Sequence, residues 1–404
     1  MSKFVFAANI HCMRKFLVLL LSLLAVTASA QESSQRSSVV CGPYIQNVTT
    51  TGFTVMWISD VDAVAWVEVA PDDNQSFYYA DRPKFYDLSG SGIKPVNKVH
   101  KVTVSGLEPG TRYRYRIMMK AVDKYYHFLD INYGREYGAN VYSAKPPVVK
   151  TLETSYKEVN FAVVNDIHEK DSLFRRLFAD QEKTCKMDFV VFNGDMTSSV
   201  TSVDKIVQYD LTPACELFAS ELPFYMVRGN HEFRGRDAIH FPEYFDFPSH
   251  GPYYTFKYGN YFFLVMDSGE DKPDNDIEYQ DAYCTDPYLR AEAEWLKGIV
   301  ASEDWKNAEK RIVFSHIPPQ TTDAWHGNWN MSNLFLPVLN GASVDLMICG
   351  HRHSYAFEKV GVSDAKFPVL VNSNCERADV KVSPKSISIE IFNPDGKKIH
   401  SVKL

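Results

Sequence analysis

Five short stretches of this chain place metal-binding residue types close together. They are Asn165-Asp166-Ile167-His168, Gly194-Asp195, Gly229-Asn230-His231-Glu232, Ser315-His316 and Gly350-His351-Arg352-His353. Imidazole suits zinc, iron and manganese, and carboxylate suits harder ions. Asp166, His168, Asp195, Asn230, His316, His351 and His353 together offer seven donors. Seven is too many for one tetrahedral ion and enough for two divalent ions that share a carboxylate. Any one stretch alone reads as an ordinary turn or surface loop; five together read as one site. The last stretch continues into Ser354-Tyr355, so it lacks the His-x-His-x-Asp-His pattern of a zinc hydrolase.

Each stretch directly follows a short apolar run, at 161–164, 188–192, 224–227, 311–314 and 346–348. Short apolar runs that end in polar residues are the mark of buried strands. In open α/β sheets, ligands bind beyond the carboxyl ends of the strands. Residues 261–266 form another such run. Leu173, Phe174, Leu177 and Phe178 share one helical face, which predicts a helix over 171–187; Leu289, Trp295, Leu296 and Ile299 predict another over 287–301. Beyond Tyr355 the runs are short and strand-like. Residues 153–404 therefore read as an α/β domain, with layered sheets flanked by helices.

Residues 38–152 have a different character. Strands are expected at 54–58, 65–69, 101–104 and 111–117, with the turn Gly106-Leu107-Glu108-Pro109-Gly110 between the last two. This pattern fits an all-β sandwich. Ahead of it, Arg14 and Lys15 precede an apolar run at 16–26 and the small residues Ala28-Ser29-Ala30. That is the layout of a secretory signal over residues 1–30, too short for an ordinary membrane span. The expectation is an exported protein, periplasmic or extracellular, without stable membrane insertion. Net charge is -7, and the first 30 residues contribute basic residues but no acid. A mature chain that acidic argues against a nucleic-acid partner. Six cysteines follow the signal; export permits disulfides, while Cys349, inside an apolar run, reads as a buried thiol.

The order of the five stretches closely resembles the calcineurin-like metallophosphoesterase superfamily, over residues 158 to about 355. The strand, the Leu-Glu-Pro-Gly-Thr turn and the Tyr-x-Tyr strand ahead of it resemble fibronectin type III domains, and in particular the N-terminal domain of purple acid phosphatases. The resemblance implies that Asp166, His168 and His353 hold one ion, that Asn230, His316 and His351 hold the other, and that Asp195 bridges them. It implies two divalent ions of manganese, zinc or iron, with a metal-activated hydroxide attacking a phosphate ester. His231 matches the family histidine that stabilises or protonates the leaving group, and Glu232 is placed either to orient it or to make a plain structural hydrogen bond. Arg234 and Arg236 follow, and guanidinium groups grip phosphate bidentately. His326, between Trp325 and Trp329, is a candidate for the substrate entrance. The substrate implied is a phosphorylated small molecule, most simply a monoester. Alternatives are a phosphodiesterase acting on nucleotides or lipid headgroups, and a catalytically inactive binding protein. The complete donor set speaks against the latter. Specificity is expected in loops such as 270–283, which carry no motif. The chain departs from purple enzymes twice: it has His168 in the first stretch, and Ser198 stands where a tyrosine would colour iron(III).

Overall fold

The computed structural model describes residues 36–78, 80–127, 129–248, 251–320, 325–360 and 364–404. The signal-like segment 1–30 lies outside the described residues. A seven-stranded N-terminal sheet system runs from Val39–Gln46 to Val148–Lys150. Its backbone is the strand Phe53–Pro71, which unites the two strands expected at 54–58 and 65–69. The first half of this strand pairs with Val39–Gln46 and Asn97–Val104. A register irregularity between Ile58 and Ala63 then passes the second half to Arg112–His127. Such irregularities bend a strand without ending it, and Phe53–Pro71 stays almost wholly buried on both sides of the bend.

The remainder forms two facing six-stranded sheets with helices outside. One runs Phe224–Val227, Phe189–Asn193, Val159–Val164, Arg377–Val382, Ile387–Phe392, Lys398–Lys403; its first three strands are parallel. The other is centred on the parallel strands Tyr261–Val265, Lys310–Phe314, Leu346–Cys349 and Val369–Val371. Alternation along each strand decides which layer a side chain enters. Phe161, Val163, Phe189 and Val191 meet Phe263, Ile312, Phe314 and Ile348 between the sheets. Their neighbours Ala162, Val164, Val190 and Phe192 pack outward against Phe174, Leu177 and Phe218. Phe262, Leu264, Val313 and Met347 do the same against Leu289, Leu296 and Leu336. Phe161 stacks on Phe189 and meets Phe263 and Phe314 edge-on across the gap, a geometry favoured by ring quadrupoles.

The helix expected over 171–187 is two short helices, Asp171–Leu177 and Gln181–Thr184. Asp180 accepts from the Lys183 amide at 3.0 Å and starts the second one, as an N-cap does. Helix Asp286–Ala301 agrees with its expectation to within a residue. The two domains are firmly joined: Ile45 N donates to Ala219 O at 2.8 Å, and Tyr115 Oη donates to Ser220 O at 2.7 Å. Cys41, Tyr44 and Met56 share a core with Phe224 and Phe241. Among the described residues, no helix is long and apolar enough to cross a membrane.

Candidate metal centre

All five polar stretches emerge at the same edge of the two sheets, where the parallel strands end. Five of the seven donors adopt a left-handed backbone: Asp166 (φ 53°), His168 (47°), Asp195 (55°), His351 (70°) and His353 (56°). Each such residue costs roughly 1–3 kcal/mol, and strain of this kind gathers at functional sites. The preceding glycines permit close approach. A Cβ on Gly350 would stand 2.7 Å from Asp166 Oδ2, and one on Gly229 would collide with Asp195 Oδ1.

The donor atoms fall into overlapping groups. Asp166, His168 and His353 form one; Asp195, His316 and His351 form another; Asp195 also groups with His168 and His231. His353 Nε2 lies 3.1 Å from both Asp166 Oδ1 and His168 Nε2. His316 Nε2 lies 3.1 Å from Asp195 Oδ2, and His351 Nδ1 lies 3.1 Å from Asn230 Oδ1. Asp195 Oδ2 is also 3.9 Å from His168 Nε2, so this carboxylate faces both groups. The structure thus brings together all seven expected donors.

These residues fit a pair of cations. Asp166 Oδ1 and His316 Nε2 are buried, and the groups that reach them, His353 Nε2 and Asp195 Oδ2 at 3.1 Å, are themselves candidate metal donors, an arrangement that suits cations among them. Burial alone would raise Asp195 and lower His316. Their mutual attraction reverses both shifts: Asp195 is held below the usual carboxylate range, and His316 is pushed up to about 10. The pair demands positive charge at this point, from a proton or a metal ion. Burial lowers His168 and His351 to about 4, so both imidazoles are neutral and ligand-ready at neutral pH.

Supporting hydrogen bonds fix the donors. His316 Nδ1–H donates to Asn193 O at 2.8 Å, which turns its Nε2 lone pair inward. Glu232 does not touch the His231 ring. Its buried carboxylate accepts from the amides of Asp195 (2.9 Å), Gly229 (2.8 Å) and Thr197 (3.1 Å), and so locks the second stretch to the third. Asn165 and Asn372 exchange amide hydrogen bonds behind Asp166. Ser373 Oγ donates to His353 O. Sequence reasoning missed Asn372, Ser373 and Asn193; their one signal is that they too sit at or just past strand ends.

The remaining candidates divide. His231 lies beside the centre: its Nδ1–H donates to Ser198 O at 2.7 Å, and Nε2 is 3.8 Å from Asp195 Oδ2. Arg234 Nη1 reaches that same Nε2 at 3.1 Å. The rest of the Arg234 guanidinium is held by Glu270 and Asp271, both buried, and Tyr279 Oη donates to Glu270 at 2.6 Å. The motif-free loop 270–283 therefore supplies the clamp on Arg234. Arg236 is exposed, and among the described residues no hydrogen bond or ion pair ties it to the centre. His326 stands off, 3.8 Å from Asp286, whereas its neighbour Trp325 meets His351 edge-on at 5.9 Å.

Two facing sheets with Asp, Asn and His donors converging at their carboxyl edge define a metallophosphoesterase-type site. Comparisons with known proteins agree. Residues 159–355 match the calcineurin-like phosphoesterase family, and residues 43–129 match the purple acid phosphatase N-terminal domain. Residues 159–355 are thus similar to calcineurin-like phosphoesterases, and the segment ahead of them to the N-terminal domain of purple acid phosphatases. Purple acid phosphatase 21 of Arabidopsis thaliana is 23% identical over 299 residues, which cover 69% of this chain but only 59% of that relative. A purple acid phosphatase from yellow lupin (Lupinus luteus) seeds superposes with a TM-score of 0.62 at 15% identity, over 89% of this chain and 73% of that one.

Proposed function

We propose that the protein is an exported phosphomonoesterase that hydrolyses phosphorylated small molecules at a centre of two divalent ions, manganese, zinc or iron. The observation that carries this reading is the convergence of seven donors from five strand ends, with Asp166 and His316 buried at its heart. Asp166, His168 and His353 would hold one ion, Asn230, His316 and His351 the other, with Asp195 between them. Bound there, such a pair polarises a phosphoryl group and supplies a hydroxide nucleophile near neutral pH.

The protein's own groups do the rest. His231, anchored through Nδ1–H to Ser198 O, presents Nε2 to the leaving oxygen. That nitrogen accepts from Arg234 or carries a proton, not both. Protonation therefore releases Arg234 Nη1 to meet a phosphoryl oxygen, while Glu270 and Asp271 keep the guanidinium in place. A histidine able to protonate the leaving group favours unactivated monoesters, whose alkoxides leave poorly. Export rests on the signal-like residues 1–30. Turnover of an aryl phosphate monoester against its diester, on metal-loaded protein, tests the reading. A monoester preference of about tenfold or more in kcat/KM is expected. A preference for the diester would overturn it in favour of a phosphodiesterase, and turnover of neither in favour of a binding protein.

A further inference from the structure

We infer that Cys41 and Cys215 form a disulfide that staples the N-terminal domain to the α/β domain. Cys41 lies on the strand Val39–Gln46 and Cys215 on the helix Thr212–Leu217. They are 174 residues apart in sequence, yet their sulfurs are in contact at 3.6 Å. Among the described residues, no other two cysteine sulfurs touch. The contact is held from both sides. Ile45 N, from the same strand as Cys41, donates to Ala219 O, and Tyr115 Oη, from the strand Arg112–His127, donates to Ser220 O, so two strands are tied to the segment just after the helix. A bond of about 2.05 Å requires the two sulfurs to close from that contact distance.

The pair is also reachable. Cys215 lines a cavity of about 350 Å³ between the domains, together with Pro43, Tyr115, Arg116, Lys145 and Glu221. Its walls carry both signs of charge, since Lys145 and Glu221 line it and Arg116 is paired with Glu68, so a polar small disulfide such as glutathione disulfide can enter. In exchange with such a disulfide, the Cys215 sulfur loses its proton and displaces one thiolate, forming a mixed disulfide. The Cys41 sulfur, also deprotonated, then attacks Cys215, closes the bond between the two cysteines and expels the second thiolate. Two protein thiols are oxidised, one small disulfide is reduced to two thiols, and the released protons end on those thiols. The contact with Cys41 and burial push the Cys215 thiol well up, so the first exchange should quicken as pH rises. The other cysteines are not so placed: Cys185, Cys284 and Cys375 are exposed and Cys349 is buried without a partner cysteine.

The test is independent of the phosphoesterase reading. The full chain is incubated with glutathione disulfide, alkylated in denaturant, digested without reductant and mapped by mass spectrometry. The expected product is one cross-linked peptide joining Cys41 to Cys215, with both missing from the alkylated set. The triple variant Cys185→Ser, Cys284→Ser, Cys375→Ser should give the same link. Recovery of Cys41 and Cys215 as separate alkylated or glutathione-bearing peptides, or linked to other cysteines, would overturn the assignment. Oxidation should also raise the urea midpoint of the wild type, and Cys41→Ser should abolish that rise. A midpoint unmoved by oxidation of the wild type would overturn the stapling role.

Discussion

The centre has a deep half and a rim half, and they are built differently. His316 is wholly buried, whereas the His353 side chain is 48% exposed. In the deep half, supporting groups fix each element: Asn193 O holds the His316 ring, and Glu232 gathers three amides around Asp195. In the rim half, His168 and His353 touch each other, and among the described residues no hydrogen bond holds their second ring nitrogens. The lesson is one of preorganisation: the His316 ring and Asp166 are placed by the fold, while the His168 and His353 rings lack such support and have rotamer freedom to lose on binding an ion. The deep ion should therefore bind more tightly.

The largest effect is expected at Asp195, which faces both halves. Asp195→Ala should remove both ions and reduce turnover to background. Elemental analysis that finds either ion retained at full occupancy would break the view of Asp195 as shared. Next, His316→Ala should deplete the deep ion even at saturating metal, whereas His353→Ala should weaken only the rim ion, which should still fill at high metal concentration. Calorimetric titration reads this directly, and two equal affinities in the wild type would erase the distinction between halves.

A smaller loss is expected from His231→Ala: both ions retained, and turnover down about 10²–10⁴-fold. The deficit should shrink for substrates with good leaving groups, and equal deficits across a leaving-group series would remove His231 from the proton-donor role. Smallest is Glu232→Gln. One amide oxygen cannot serve three backbone donors, so a stability loss of about 1–3 kcal/mol is expected, with metal content unchanged. Denaturant unfolding that shows no loss would mean that Glu232 does not organise the deep half.

What was legible in the chain follows the same division. The donors were readable because each is a metal-binding type at the end of an apolar run, as at Phe189–Asn193 before Gly194-Asp195. The supporting groups were not, because their partners depend on strand order. Asn165 meets Asn372 across 207 residues, a pairing that no local pattern announces. Sequence leaves Glu232 two readings, orienting His231 or a structural hydrogen bond, and the structure shows the second, to Asp195, its neighbour in space. Phe53–Pro71 looked like two strands because its bend resembles a turn, and Asp180 divided an otherwise continuous helical pattern. Arg234 was recognised as a cation near the site, but the clamp of Glu270 and Asp271 lay in a loop with no signature.

The most direct test of the central claim is a metal titration of chelator-stripped protein with turnover of an aryl phosphate as readout. The account expects no turnover in stripped protein, little at the first equivalent, as the deep half fills, and full activity only as the second equivalent enters the rim. Activity that persists without metal, or that saturates at one equivalent, would contradict a dinuclear centre.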